Sequence, residues 1–263
     1  MRLSLRHVLR AAYINRQTPR RIVSLVPSIT ELLFDLGLED ETAGITKFCV
    51  HPHHWFEHKR RIGGTKAVNI QQVQDMQPDL ILANKEENTR ADIELLAKDF
   101  PVWLTEVRNI SDALDMINDI GRITGKSEKA HELAATISTK LAAMPASDDP
   151  VPTAYLIWKD PYMTVGGDTY IHDMLRLAGY RNVFAGRTRY PAVTIKDLAD
   201  SGCRLILLSS EPFPFREKHM LELAEALPGT RIVLADGEMF SWYGSRLLKA
   251  LDYLRHFNPQ NQV

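Results

Sequence analysis

Apolar runs of four to six residues, each bounded by polar, glycine or proline turns, alternate with stretches whose apolar positions recur every three or four residues. The runs predict buried strands and the periodic stretches predict amphipathic helices. In the first part of the chain, strands are expected at 21–26, 42–46, 79–83 and 102–105, with helices at 28–37, 70–76 and 89–99. Ser28 and Glu31 read as a capping box that opens the first helix, and Gly37 as its close. Residues 47–69 read as one long polar loop around Gly63 and Gly64, a length that usually signals function. Such a βαβ succession implies parallel pairing.

From 111 to 144 the period becomes helical throughout, with Leu114, Ile117, Ile120, Ala130, Leu133, Ile137, Leu141 and Met144 on one stripe. A single helix of that length would span roughly 50 Å, with Gly121 and Gly125 as places to kink. The turn-rich stretch 145–152 (PASDDPVP) reads as a boundary. After it the plan repeats: strands at 153–158, 205–209 and 232–235, and helices at 169–178, 195–200, 219–227 and 245–257.

An offset of 125 residues lays 70–86 over 195–211, with Asp75 on Asp200, Leu80-Ile81-Leu82 on Leu205-Ile206-Leu207 and Glu86 on Glu211. A fixed internal period of this kind implies two copies of one αβ unit. The expected fold is therefore α/β, two Rossmann-like βα lobes with parallel sheets joined by one long linking helix. The domain plan is a basic arm at 1–20, an N-terminal lobe at 21–108, the linking helix at 109–148 and a C-terminal lobe at 149–263. Ligands in open parallel sheets collect beyond the carboxyl ends of the strands, so two such lobes are expected to clamp a shared cleft.

Composition narrows the function by exclusion. The 263 residues are 44% apolar and 25% charged with a formal net charge of −1, which speaks against a nucleic-acid surface. No run approaches the roughly 20 apolar residues needed to cross a bilayer. The arm carries Arg2, Arg6, Arg10, Arg16, Arg20 and Arg21 without a continuous apolar region before a cleavage site, so it does not read as a secretory signal. Leu5, Val8, Leu9 and Ala12 share one face of it if helical, which leaves membrane-surface attachment open, and a solvated helical or disordered arm is expected. Two cysteines, Cys49 and Cys203, make no disulfide framework, and Cys203 reads as an inert buried thiol.

Candidate chemistry gathers just past the strands. The two rims carry Glu86 and Glu87 in one lobe and Glu211 in the other, carboxylates suited to a cationic or hydroxylated ligand, a metal, or basic sockets on a partner. Trp158, Tyr162, Tyr170, Tyr190, Phe213, Phe215, Trp242 and Tyr243 fall at the same expected edge, as walls for a large planar ligand. Lys66, Arg189 and Arg246 are the expected positive groups for a carboxylate or phosphate on that ligand. His51, His53, His54 and His58 follow Cys49 in the long loop, a set that reads either as a borderline-metal site or as an exposed polar loop. No nucleophile elbow, Walker loop or dinucleotide fingerprint is present.

Several short motifs, in order, resemble the helical-backbone class of substrate-binding proteins that serve ABC importers of cobalamin, ferric siderophores and haem. They are Ser24-Leu25-Val26-Pro27-Ser28-Ile29-Thr30-Glu31, Gly63-Gly64-Thr65, Gln77-Pro78-Asp79-Leu80-Ile81, Pro161-Tyr162, Val165-Gly166-Gly167-Asp168-Thr169, Gly179-Tyr180-Arg181-Asn182-Val183-Phe184, Tyr190-Pro191 and Gly244-Ser245-Arg246. The resemblance covers 21 to about 257, and the cobalamin-binding branch is the nearest. It implies a monomeric, non-catalytic binder that needs no cofactor and takes cobalamin or a ferric chelate as ligand. Pro27, Ser28 and Asp168 join the ligand-binding candidates through these motifs. The resemblance also implies an ABC transporter permease as partner, docked through one acid per lobe, with Glu86 or Glu87 and Glu211 as candidates that could instead face the cleft. Members of the class are exported or lipid-anchored, whereas this chain shows no export signal, so a periplasmic or cell-surface location and a cytoplasmic one both stay open. The alternative from another class is a chelatase-like enzyme or cytoplasmic metal-chelate carrier holding a metal on His51, His53 and His54.

Overall fold

The computed structural model describes Val8–Leu9 and residues 18–257. Its contacts divide the chain into two units: Met1–Val107, Ser111–Ile137 and Tyr243–Arg246 form the first; Arg108–Ile110, Ser138–Trp242 and Leu247–Val263 form the second. Most of the expected basic arm, with Leu5 and Ala12 of its amphipathic face, lies outside the described residues. Its end is tied down, because the backbone N–H groups of Arg20 and Arg21 both donate to the Asp79 carboxylate at 2.8 Å. No helix among the described residues is long and apolar enough to cross a membrane.

The first unit is built on a six-stranded sheet. Its strands are β1 (Val8–Leu9), β2 (Ile22–Ser24), β3 (Thr42–Ile45), β4 (Arg60–Arg61), β7 (Leu80–Asn84) and β8 (Val102–Thr105), ordered β1-β8-β7-β2-β3-β4. Only the edge pair of β1 with β8 is antiparallel. Every residue of β7 is buried, as a central parallel strand covered on both faces requires.

Helix α1 (Pro27–Asp35) departs from the expected capping box: it opens on Pro27, with Val26 as an N-cap that offers no side chain. Proline is tolerated there because the missing N–H has no intrahelical partner in any case. Glu31 does not fold back onto the helix start; its carboxylate accepts a 2.7 Å hydrogen bond from Arg246 Nε.

The expected long loop at 47–69 is structured. It holds α2 (His53–His58), β4 and a small hairpin of β5 (Gly63–Gly64) with β6 (Ala67–Val68). Trp55 and Ile62, essentially without exposure, anchor it to the core through two residues that its polar composition hides. Gly63 sits at φ +93°, where a Cβ would come within 2.5 Å of the Ala67 carbonyl oxygen. After α3 (Ile70–Met76) and β7, α4 (Arg90–Leu96) leads into β8.

The expected single linking helix is two helices, α5 (Ile110–Ile123) and α6 (Ser127–Ala142). Gly125 at φ +73° ends the first, and the Lys126 N–H bonds the Gly121 carbonyl at 2.7 Å. The chain turns so sharply that a Cβ on Gly121 would lie 2.2 Å from the Ala130 Cβ. A continuous helix would separate those positions by roughly 13 Å. The apolar stripe read as one span is therefore two stripes meeting at a glycine contact. Gly121→Ala is expected to lower stability by about 1–3 kcal/mol, the usual cost of overpacking, read as a shifted urea midpoint.

The second unit has β9 (Val151–Trp158), β10 (Met163–Thr164), β11 (Tyr180–Asn182), β12 (Leu205–Ser209) and β13 (Arg231–Ala235). β12 lies between β9 and β13; β10 pairs with β9 antiparallel, while the other pairings are parallel. Its helices are α7 (Tyr170–Leu177), α8 (Ile195–Asp200), α9 (Glu217–Ala226), α10 (Gly237–Ser241) and α11 (Leu247–His256), with a 3-10 turn at Gly244–Arg246 that packs with the first unit.

Taken separately, the two units share one plan. The order β3-β2-β7-β8 in the first corresponds to β11-β9-β12-β13 in the second. At the 125-residue offset, α3 matches α8 and β7 matches β12. Even the caps coincide: Asn69 accepts from the Gln72 N–H, and Thr194 from the Asp197 N–H.

Candidate functional site

In the first unit, the first turn of α1 after β2, the segments after β3 and β7, and the last residue of β8 bring Ser28, Cys49, Glu87 and Thr105 together around Tyr243. The β7 loop is braced by two buried amides. Asn88 Oδ1 accepts from the Asn84 N–H at 2.9 Å, and its Nδ2 donates to the carbonyls of Leu25 and Thr65 at 3.2 and 3.0 Å. Asn84 Nδ2 in turn reaches the Thr105 hydroxyl at 3.1 Å. The Cys49 thiol is fully buried, receives the Thr30 hydroxyl proton at 3.1 Å, and lies 3.2 Å from Thr46 Oγ1. Desolvation pushes it above its ordinary pKa, the two hydroxyls oppose this, and Glu87 adds to it. Tyr243 is buried over the same loops, with its hydroxyl against Ser28 and Thr105.

Burial also pushes the Glu87 carboxyl up, Lys66 pulls it back in part, and Glu86 raises it further. An acid with a raised folded pKa favours folding below its unfolded value, and that contribution is lost as pH rises through the folded value. Glu87→Gln is accordingly expected to stabilise the protein at neutral pH, with the gain vanishing below the ordinary value of 4.5. Urea unfolding of both proteins at pH 4 and pH 8 measures it.

Lys66 is exposed, and its ammonium donates to the Glu86 carbonyl oxygen. Nearby, Phe48 is 50% exposed beside Gly64, with Lys47 Nζ 5.1 Å from its ring centre. Sequence reasoning passed over Phe48; its place just past β3 was the available signal.

In the second unit, aromatic candidates converge at the corresponding edge. Trp158, the last residue of β9, is 41% exposed and stands edge-on to Phe213 at 5.8 Å, which meets Phe215 at 4.8 Å. Tyr162 packs on the same cluster. The carboxylate of Glu211 accepts from Trp242 Nε1 at 2.8 Å and from Ser241 Oγ at 2.7 Å. Beneath it, Tyr155 donates to Ser209 Oγ at 3.0 Å, and Ser209 donates to the Glu211 carbonyl at 2.5 Å. Gly237 is required for this fit, since a Cβ there would sit 2.6 Å from Glu211 Cγ. Asp168 holds a loop, accepting the Arg189 N–H at 2.6 Å where Arg189 stands at φ +57°. The Arg189 side chain is exposed, over the ring of Tyr190 at 5.7 Å.

Other candidates are placed elsewhere. Pro27 and Tyr170 are buried in the first turns of α1 and α7. Arg246, expected to meet a ligand anion, is 4% exposed and spends its charge on Glu31 inside the first unit. Of the two readings open for His51, His53 and His54, the metal set is not formed: among the described residues no three His, Cys, Asp or Glu side chains are placed to hold an ion. His53 and His54 are adjacent on α2 and so diverge by about 100°; the first approaches Glu57 at 3.6 Å and the second Glu39 at 3.7 Å. Cys49 and Cys203 are both free and buried.

The family model described as "Periplasmic binding protein" matches residues 22–209. The chain belongs to this family. It is a binding protein rather than an enzyme, which sets aside the chelatase-like alternative, and members of the family carry no resident cofactor. A vitamin B12-binding protein of Vibrio vulnificus (strain YJ016) is 25% identical over 183 residues, 68% of this chain and 67% of that protein. An uncharacterised ABC transporter substrate-binding lipoprotein of Bacillus subtilis (strain 168) is 28% identical over 190 residues, 68% of this chain and 60% of that one.

Among solved structures, the periplasmic vitamin B12-binding protein of Vibrio cholerae superposes with a TM-score of 0.76 at 20% identity, covering 93% of this chain and 99% of its own. A periplasmic haem-binding protein from Roseiflexus sp. RS-1 gives 0.77 at 19% identity, over 90% and 96%. At these identities the structures share the fold.

Proposed function

We propose that this protein is the substrate-binding component of an ABC importer and that it captures cobalamin or a ferric chelate, siderophore or haem. The carrying observation is the half-exposed Trp158, backed by Phe213 and Phe215, at the carboxyl edge of a parallel sheet in a periplasmic binding protein. A half-exposed indole packed edge-on with Phe213 suits contact with a large planar body. Phe48, half-exposed with Lys47 Nζ over its ring, gives the first unit's edge a ring paired with a cation, fit for the carboxylates or amides of such a ligand. The names of the relatives, vitamin B12-binding and haem-binding, support this range of cargo.

In this reading Glu86, Glu87 and Glu211 shape the binding edges. Glu87 is half-buried and Glu211 is engaged by Ser241 and Trp242, which suits a fixed rim better than a docking knob. The partner is an ABC permease, the protein acts as one chain per ligand, and it works outside the cytoplasmic membrane. Titration with cyanocobalamin, haemin and a panel of ferric siderophores, followed by tryptophan quenching, tests the reading. Saturable quenching by one class is expected, and quenching by none of them overturns it.

A further inference from the structure

The second unit has a groove of about 1,030 Å³ at the opposite edge of its sheet from Trp158, around the first residues of β9, β11, β12 and β13. Leu177, Tyr180, Leu205, Leu254 and Phe257 give it an apolar floor, and Tyr180 stands edge-on to Phe257 at 6.5 Å. Arginines line it, Arg204 and Arg255 among them, and Asp149 is the acid on its wall. The pairing of Arg204 with Asp149 is long, 3.7 Å, with both side chains well exposed at 60% and 90%. A solvated pair of that kind is weak and exchanges readily for a better anion.

We propose that this groove binds an amphipathic anion, an acyl chain carrying a carboxylate or phosphate head, with the chain along the apolar floor and the head against Arg204 and Arg255. The volume lies at the upper limit of small-molecule sites, which pair a mostly apolar lining with a few converging polar groups. Guanidinium matches carboxylate and phosphate through paired N–H donors, so the head is anionic and not a neutral alcohol. The site involves none of the residues of the proposed cargo edge and stands independently of that reading.

Monomeric dodecanoate is the probe, below its micellar concentration, by isothermal titration calorimetry, with dodecanol as the neutral control and phosphatidylglycerol vesicles as the membrane source of the same chemistry. One dodecanoate per chain is expected, with dodecanol at least about tenfold weaker. R204S/R255S is expected to weaken dodecanoate by about tenfold or more while circular dichroism and thermal midpoint hold, and A146W, placed on the groove wall, to block it. Binding to the vesicles alone, lost in R204S/R255S, would assign the head to a bilayer lipid. Absence of saturable binding to either source, or equal binding by the arginine variant, would overturn the proposal.

Discussion

Glu31→Ala is expected to destabilise the protein by about 3–5 kcal/mol, the usual penalty for leaving one member of a buried ion pair uncompensated. Glu31 and Arg246 are 6% and 4% exposed, and their 2.7 Å contact joins α1 to a turn 215 residues away in sequence. Gly244, at φ +84°, lets that turn pass close over the helix; a Cβ on it would lie 3.4 Å from the Ser28 carbonyl oxygen. With Glu31 truncated, a guanidinium that is 4% exposed loses its buried carboxylate. The paired change E31L/R246M, which removes both charges and keeps apolar volume, is expected to recover most of the loss. Urea unfolding of the two variants against the parent measures this, and a cost below about 1 kcal/mol for Glu31→Ala would deny the pair its structural role.

Trp158→Ala is expected to weaken cargo binding by about thirtyfold or more, near 2 kcal/mol, because a rigid aromatic anchor concentrates binding energy. Phe213→Ala is expected to act in the same direction through the indole, since Phe213 holds it edge-on at 5.8 Å. The two effects should sum to more than the double variant shows, as residues in contact are not additive. Titration of the three variants with the ligand that quenches the parent decides it. An unchanged dissociation constant in Trp158→Ala would move the binding surface away from this edge.

Much of the architecture could be read before any coordinates. The 125-residue offset identified β7 with β12 and α3 with α8, because the apolar strand residues and the helix before them recur together. The neighbourhood of Trp158, Phe213 and Phe215 follows from their place just past apolar runs, but the split between them does not: Trp158 stays half-exposed while Phe215 enters the core with Phe213 packed against it.

The failures have local causes. Ser28 and Glu31 satisfy a capping-box spacing, yet Pro27 occupies the first helical position and Arg246 captures the carboxylate from a distance in sequence that no local rule sees. The stripe through α5 and α6 keeps a helical period across Gly125, so the period alone conceals a turn that a single positive φ creates. The segment 47–69 looked like a loop because the residues that fix it to the core, Cys49, Trp55, Ile62 and Val68 among them, are scattered and follow no strand or helix period. Its imidazoles allow either a ligand set or an exposed polar surface in sequence; on α2 His53 and His54 face different carboxylates, which fits the second. Short elements such as β10, β11 and α10, of two, three and five residues, carry too few positions to show a period.

Native mass spectrometry of the purified protein, mixed in turn with cyanocobalamin, haemin and ferric siderophores, tests the cargo assignment most directly. A one-to-one complex with a single class is expected, surviving at ligand concentrations near that of the protein. A spectrum that stays at the mass of the unliganded chain with all three would contradict capture of a corrinoid or ferric chelate.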